Sequence, residues 1–228
     1  VVLTGLTGGA PYVVGAWLRW RKPDGSIAYA PSLKGTATPV AGVTVNAVHF
    51  DGVNDYLSRG AQLTGAVDSK TGTMSVWIKR DATGAANTLW SLRVAAGGEA
   101  SLIQVGADDL LLMLLRNTAN GNILIVKTLS TILVADGWTH VLASWDQATS
   151  TVLIYVDDVD DTAVPSTNLD QNIDYTRADA GIGHDWSAAG NPGTNKMNGD
   201  LAEFWFEDGV FLDLTIDANR RKFISGAG

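Results

Sequence analysis

A glycine-rich segment, residues 183–191 (GHDWSAAGN), brings several kinds of sugar-contacting side chain close together in the sequence. An indole face packs against the C–H side of a pyranose ring, while carboxylate, imidazole and amide groups bind its hydroxyls. The segment therefore predicts a glycan site. Its candidate ligand-binding residues are His184, Asp185, Trp186 and Asn191, with Arg116 and Tyr175 as further neighbours. Two alternatives are that Trp186 folds back over the edge of the fold or packs on a neighbouring subunit.

Four aspartates in the short segment 157–161 offer a second kind of chemistry, because calcium prefers six to eight oxygen ligands from flexible loops. They are Asp157, Asp158, Asp160 and Asp161. The alternating ligand spacing of an EF-hand loop is absent here. A solvated loop beside a hairpin is the preferred interpretation.

Several other chemistries are excluded or disfavoured. The chain has no cysteine, which excludes disulfides, thiolate metal sites and cysteine nucleophiles. Histidines 49, 140 and 184 form no helical pair, and there is no phosphate-binding glycine loop or Gly-x-Ser-x-Gly elbow. A formal net charge of −8 disfavours binding to nucleic acid. The nearly uncharged runs are far shorter than the roughly 20 residues that a membrane span needs.

The elements that must position these residues are β-strands. The 228 residues include 25 glycines, which cluster with Asn, Asp, Ser and Thr between β-branched or aromatic runs. This pattern predicts an all-β fold in which two antiparallel sheets pack as a sandwich, followed by a short C-terminal helix within residues 213–224. Strands are expected at residues 43–50, 72–80, 88–94, 100–105, 110–116, 122–128, 138–146, 151–156, 178–183 and 198–207.

Alternation along the best strands identifies the side chains that face the core. Residues 137–161 are expected to form a hairpin that turns at residues 147–150 with a polar, exposed tip. Met74, Val76 and Ile78 are expected to share one face of their strand, and both faces of that strand carry some apolar character. The residues predicted to lie in the core are Trp138, Trp145, Phe204 and Phe206.

The chain is expected to have three parts. Residues 1–40, with Trp17 and Trp20, are an N-terminal extension or docking segment, residues 41–212 form the sandwich, and residues 213–228 are the short helix and the start of a linker. Because the first residue is Val1 and not Met, we expect a processed chain or a piece of a longer one.

Five segments in order resemble the laminin-G-like or concanavalin A-like jelly-roll family. They are residues 49–57 (HFDGVNDYL), 73–79 (TMSVWIK), 137–141 (GWTHV), 152–157 (VLIYVD) and 198–204 (NGDLAEF). The resemblance covers residues 43–212 and implies a jelly-roll sandwich. The next run, residues 212–224, looks similar to the segment that comes directly after such domains in phage structural proteins.

The resemblance also implies a calcium site, because the first and last strands of such sandwiches are often neighbours. It would join Asp51 or Asp55 with Asp200 and Glu203. The sequence departs from the family at Ala202, which replaces the first member of the usual acidic pair. The alternative is that Asp55 caps a turn and Glu203 faces solvent.

Laminarinase-like sandwich hydrolases are similar in placing two glutamates four residues apart on one strand, as nucleophile and acid. Glu203 and Glu207 have that spacing. However, those enzymes carry an Asp between the pair, where this chain has Trp205. A hydrolase would need both carboxylates to face one open groove.

These features together predict a non-enzymatic structural or adhesion module of a virion that binds surface glycans. The alternatives are a purely structural subunit or decoration protein without a ligand, and the hydrolase. The expected partners are other virion subunits and cell-surface glycans, with no nucleic acid, in a homo-oligomer or larger assembly. The expected location is the virion or another extracellular surface. No cofactor is required, and a structural calcium ion is the candidate cofactor.

Overall fold

The structure is a computed structural model that describes residues 47–59, 63–93, 99–186 and 193–224, and the backbone of four short strands nearer the N-terminus. These four are β1 (Tyr12–Ala16), β2 (Arg19–Arg21), β3 (Ile27–Tyr29) and β4 (Leu33–Ala37). They belong to a compact unit of their own, residues 1–45, in which β1 pairs with β4 and β2 with β3, both antiparallel. Trp20 lies in β2, and Trp17 lies outside the described residues. The predicted division at residue 40 stays a prediction.

The larger unit, from residue 46 onward, is built from strands and one short helix in its described part. Its strands are β5 (Val48–Asp51), β6 (Leu57–Ser58), β7 (Thr71–Arg80), β8 (Asn87–Arg93), β9 (Glu99–Val105), β10 (Leu110–Arg116), β11 (Asn122–Thr131), β12 (Thr139–Asp146), β13 (Thr151–Val156), β14 (Val159–Asp160), β15 (Thr167–Asn168), β16 (Asp179–Ile182) and β17 (Asn198–Asp208). The helix is α1 (Asp217–Arg220), and a 3-10 turn spans Val134–Asp136.

These strands form two antiparallel sheets. The six-stranded sheet has the order β14-β13-β12-β7-β17-β5, and the seven-stranded sheet has the order β15-β11-β10-β9-β8-β16-β6. The predicted all-β, two-sheet jelly-roll sandwich is therefore confirmed. Nine predicted strands agree with the structure to within three residues at either end. The first is described only as Val48–Asp51, and its predicted residues 43–46 lie outside the described part.

The core lies between the two sheets, where alternation places the inward side chains. Met74, Val76 and Ile78 of β7, which were predicted to share one face, are all fully buried. Trp145 is also fully buried, and its Nε1 donates a 2.8 Å hydrogen bond to the Tyr175 hydroxyl. Trp138 differs from its prediction: it is half-buried and lies one residue before β12, because the chain enters that strand from a turn at Gly137.

A β-bulge interrupts β17 where the strand pairs with β7. Ala202 pairs with Trp77 and Trp205 pairs with Ser75, so two β17 residues oppose the single residue between those partners. Glu203, at φ 50°, is the first of the two. The bulge resets the alternation, and Phe204 therefore packs against the core together with Phe206. Their predicted position is confirmed.

The hairpin and the C-terminal helix were both expected from the sequence. β12 pairs with β13 from Val141↔Val156 to Asp146↔Thr151, which confirms the hairpin, and residues 148–150 at its tip are exposed. Gln147, predicted to lie in the same exposed tip, is instead fully buried, and its backbone N–H donates to the Lys70 carbonyl at 2.9 Å. A helix was expected within residues 213–224. The structure has a shorter one, Asp217–Arg220. Residues 210–224, called the C-terminal segment below, pack on the outer face of the six-stranded sheet through Leu212, Leu214 and Phe223.

Candidate ligand-binding groove

A cavity that could hold a ligand, with a volume of about 620 Å³, lies in the described part of the chain. It lies along one side of the sandwich, between β6, β16 and β8 of one sheet and the part of β17 after the bulge in the other. This volume is within the roughly 300–1,000 Å³ of small-molecule sites. Its lining residues, which define the groove, are Leu57, Ser58, Arg59, Leu63, Thr64, Trp90, Ala180, Ile182, Phe204, Trp205, Phe206 and Asp208.

The inner wall of the groove is apolar and aromatic. Phe206 stacks on Trp90 with ring centroids 4.7 Å apart and planes inclined by 26°. Phe204, Ile182 and Leu63 are partly buried and pack against the same core. Because Trp90 is only 2% exposed, the half-buried phenylalanines offer the accessible ring surface.

The rim of the groove carries its polar side chains, and each of them has a protein partner. The Ser58 hydroxyl donates to an Asp179 carboxylate oxygen at 2.9 Å. Arg59 donates from Nη2 to the Thr64 hydroxyl. Asp208 accepts a 2.9 Å hydrogen bond from the Val67 backbone N–H. The groove thus combines an apolar wall with a polar rim that its own partners hold in place.

A smaller cavity of about 150 Å³ continues the apolar surface towards β5. It shares Leu57, Ile182 and Phe204 with the groove and adds Val48 and Phe50. Leu57 and Val48 are 48% and 47% exposed, although both are apolar. The arrangement can bind a ligand with an apolar face.

The predicted glycan residues of the 183–191 segment are buried where the structure describes them. His184 is 0% exposed, Asp185 7% and Trp186 6%. His184 and Trp186 meet edge to face, with ring centroids 4.3 Å apart, and the Arg93 guanidinium lies 5.3 Å from the Trp186 ring. Burial lowers the pKa of His184. Asn191 lies outside the described residues, so the assignment of this segment to glycan binding stays a prediction.

Several polar atoms of this segment bond within the protein, whereas His184 Nε2 and Trp186 Nε1 are buried without a hydrogen-bond partner among the described residues. Asp185 accepts hydrogen bonds from the backbone N–H and side-chain amide of Asn195 at 3.0 and 2.8 Å. The Ser91 hydroxyl donates to the His184 carbonyl at 2.6 Å. These contacts correspond to the alternative in which the segment folds back over the sandwich.

The two further neighbours bond elsewhere. Arg116 donates from Nε to the Asn122 side chain at 3.0 Å. Tyr175 is fully buried, donates to the Thr71 carbonyl, and has a pKa raised by burial. Their proposed role at a glycan site stays a prediction.

The predicted calcium ligands also bond to protein groups. Asp51 accepts hydrogen bonds from the Val53 and Asn54 backbone N–H groups at 2.8 and 3.0 Å, and these bonds lower its pKa. Asp200 lies 3.0 Å from His49 Nδ1 and 3.3 Å from Lys79 Nζ.

Glu203, the third predicted ligand, is exposed at the bulge. Among the residues that the structure describes, no three His, Asp or Glu side chains are grouped to hold a metal ion. Asp55, the other candidate, accepts the Asp51 backbone N–H at 3.2 Å.

The four aspartates near residue 160 have structural partners as well. Asp157 accepts the His140 backbone N–H at 2.8 Å, and Asp161 accepts the Ser130 hydroxyl at 2.9 Å. Asp160 accepts the Thr162 hydroxyl at 2.7 Å. Asp158 pairs with Arg220 and Arg221 of the C-terminal segment, each at 2.6 Å.

The two glutamates of the hydrolase alternative do not border the same described cavity. Glu203 lines the smaller cavity. Glu207 lines neither that cavity nor the groove, and it pairs with Thr73, whose hydroxyl bonds to Ser144 and to the Val210 carbonyl. Neither of these two cavities is therefore the open groove that both carboxylates of a glycoside hydrolase would have to face.

Sequence reasoning missed the groove. Phe204 and Phe206 were identified as core residues, and Leu57 stood in a family motif, but no motif pointed to Arg59, Thr64 or Asp208. The groove arises where a two-residue edge strand and a bulged strand come together, and neither gives a periodic signal.

None of the helices in the described part of the chain has the length and apolar character that a membrane span requires.

Comparison with known proteins supports the sequence resemblance. A family model described as the concanavalin A-like lectin/glucanases superfamily matches residues 51–216. No curated protein matches the sequence significantly.

Several solved structures share the fold. A heptameric SAP-like pentraxin from Limulus polyphemus is 15% identical, with a TM-score of 0.51 over 69% of this chain and 73% of its own. A Bacteroides ovatus protein for which carbohydrate binding has been suggested is 14% identical, with a TM-score of 0.55 over 98% of this chain. Domains LG4-5 of the mouse laminin alpha1 chain are 13% identical, with a TM-score of 0.51 over 84% of this chain. The match spans 59% and 52% of the latter two chains.

Proposed function

Because the chain belongs to the concanavalin A-like lectin/glucanases superfamily, we propose that it is a non-enzymatic module that binds glycans. The groove beside β17 is the proposed site. Solved structures of the same fold include a suggested carbohydrate-binding protein, which agrees with this class of ligand.

The observation that carries the proposal is the composition of the groove. Phe204 and Phe206 offer ring surface for the C–H side of a sugar, and Ser58, Arg59 and Asp208 lie at the rim where hydroxyls would emerge. The volume of about 620 Å³ suits one or two sugar rings. A largely preformed wall reduces the ordering cost of binding.

We propose that the chain has no glycosidase activity because the groove lacks a pair of carboxylate side chains. Among the described residues that line the groove, Asp208 is the one carboxylate, and the Val67 N–H already bonds to it. Retaining glycosidases need two carboxyl groups about 5–5.5 Å apart, and inverting enzymes need a pair somewhat farther apart. Neither Glu203 nor Glu207 lines the groove.

The biological setting that we propose is a virion, with the chain as an adhesion module at its outer surface among other subunits. The support is the similarity of residues 212–224 to the segment that comes directly after such domains in phage structural proteins. Mass spectrometry of purified particles, with copy number and symmetry from electron microscopy, tests this setting. Absence of the chain from particles would refute it, and a particle-bound chain without any glycan ligand would favour the purely structural alternative.

Leu57→Ser is the first test of the groove, because Leu57 lines both cavities and is 48% exposed. On a glycan array we expect the wild-type chain to retain a defined set of sugars. The variant should lose about tenfold in affinity, which corresponds to about 1.4 kcal/mol of lost apolar contact. Retention should be the same with calcium and with chelator, because Asp51 and Asp200 bond to protein groups.

The matched control is Leu129→Ser, since Leu129 is a 68% exposed strand leucine that lines neither cavity. It should bind like the wild type. A blank array with the wild-type chain in both buffers would overturn the glycan proposal. Equal binding by the Leu57→Ser and Leu129→Ser variants would show that the binding site lies outside the groove.

A further inference from the structure

The polar side chains of the groove lie at its rim, where each keeps hydrogen-bonding capacity beyond its protein partner. The Ser58 hydroxyl donates to Asp179, one Arg59 N–H to Thr64, and the Asp208 carboxylate accepts from Val67. The wall formed by Leu57, Ile182 and Phe204 offers no side-chain donor or acceptor. Hydroxyl groups of a ligand placed against that wall would therefore lose water without gaining hydrogen bonds. That loss is unfavourable for each unpaired group.

The apolar side chains of the groove are, in contrast, open to a ligand. Leu57 is about half exposed, while Leu63, Ile182 and Phe204 are partly buried at the wall. A methyl group placed against them would leave water and contact carbon on several sides. Burial of apolar surface is favourable in proportion to its area.

From this contrast we infer that the groove selects sugar residues that carry a methyl group, either as an acetamido substituent or as a 6-deoxy carbon. The inference rests on the proposed glycan-binding function and names its ligand class. The methyl group lies against Leu57, Ile182 and Phe204, and the ring hydroxyls remain at the rim. An unsubstituted hexose would have to bury hydroxyls at the same place.

The experiment compares matched pairs of methyl glycosides by titration calorimetry or ligand-observed NMR with the whole 228-residue chain. The pairs are N-acetylglucosamine with glucose, and L-fucose with L-galactose. We expect the methyl-bearing member of each pair to bind at least about fourfold tighter, the factor for one buried methyl group. Leu57→Ser should reduce that ratio towards one, and Leu129→Ser should leave it unchanged.

The outcomes separate the inference from the function on which it rests. Binding of both members with equal affinity would overturn the methyl preference and leave glycan binding intact. Binding of neither member, with a blank array, would overturn both. Tight binding of a fatty acid with no sugar binding would also overturn both, because it would show that the apolar groove takes acyl chains.

Discussion

His140 lies within β12, with its Nε2 atom 2.9 Å from the Ser75 hydroxyl and only 1% of its surface exposed. Burial lowers its pKa to about 4, so the imidazole is neutral at pH 7. The neighbouring Asp157 carboxylate accepts the His140 backbone N–H, and burial raises the pKa of that carboxyl group. The two groups therefore affect the pH dependence of stability in opposite directions.

The His140 effect can be isolated with His140→Gln. The unfolded chain protonates this histidine near pH 6.5 and the folded chain only near pH 4, so stability is lost as the pH falls through that window. The loss is up to about 3 kcal/mol. Urea unfolding at pH 7 and pH 4.5 should show a smaller loss for the variant than for the wild type.

The control is Leu129→Ser, because Leu129 is 68% exposed and neither leucine nor serine titrates in this range. It should keep the wild-type pH dependence. Equal slopes for His140→Gln and the wild type between pH 4.5 and 7 would show that His140 is not buried in neutral form.

Residue type could be read from the sequence, but burial at the loops could not. His184, Asp185 and Trp186 have the chemistry of a sugar site, yet each is less than 10% exposed. Their burial depends on β8 residues such as Ser91, which is 93 residues away. Local spacing carries no information on contacts of that range.

Strands were the most predictable elements, because alternation is a local property. The long strands, such as β7 and β10, agree with their predicted ranges to within one residue. β6, β14 and β15 were missed, since two residues are too few to show a period. The bulge in β17, which begins at Glu203, was missed too.

The turn between β13 and β14 connects the hairpin to the C-terminal segment. Asp157 and Asp158 both have positive φ, at 47° and 68°, as in the two-residue turns that favour glycine at the second position. Asp158 pairs with Arg220 and Arg221. The Arg220 guanidinium also lies 4.9 Å from the centre of the Tyr155 ring. An aspartate at this turn thus has a structural role.

Asp158→Asn should loosen the C-terminal segment while keeping a residue that tolerates the left-handed turn. The unfolding free energy should fall by up to about 1 kcal/mol, because solvent screens these partly exposed pairs. Hydrogen exchange at residues 212–223 should become faster. The difference from the wild type should shrink in 1 M salt.

Asp170→Asn serves as the control, since it removes the more exposed Lys70–Asp170 pair, whose aspartate side chain is 60% exposed. It should leave exchange in the C-terminal segment unchanged. Equal exchange in wild type and Asp158→Asn would mean that the apolar contacts of Leu212, Leu214 and Phe223 hold the segment without the ion pairs.

At the scale of the whole sandwich, an aromatic cluster joins the two sheets. The centroid of the Phe206 ring, in the six-stranded sheet, lies 4.7 Å from that of Trp90 in the seven-stranded sheet. Its distances to the ring centroids of Tyr175 and Trp145 are 5.7 and 6.3 Å. Such ring pairs stabilise beyond their buried area.

Phe206→Ala should therefore be among the most destabilising single changes in the described core. We expect a loss of about 3 kcal/mol in unfolding free energy, measured by urea denaturation, because the change leaves a cavity between the sheets. Leu129→Ala, at an exposed position, should cost less than about 0.5 kcal/mol. A loss below about 1 kcal/mol for Phe206→Ala would show that the sheets are held together elsewhere.

The fold class was predictable at this scale, because turn-forming residues recur between apolar runs along the sequence, and inward and outward side chains alternate within the strands. The groove was not, since it depends on how two sheet margins meet and on one extra residue in β17. That residue is Glu203, which together with Phe204 opposes a single residue of β7, so its deletion would restore regular pairing and keep Phe204 and Phe206 facing inward. Because a bulge bends the strand that contains it, such a deletion would change the course of β17 beside the groove while every lining side chain is retained.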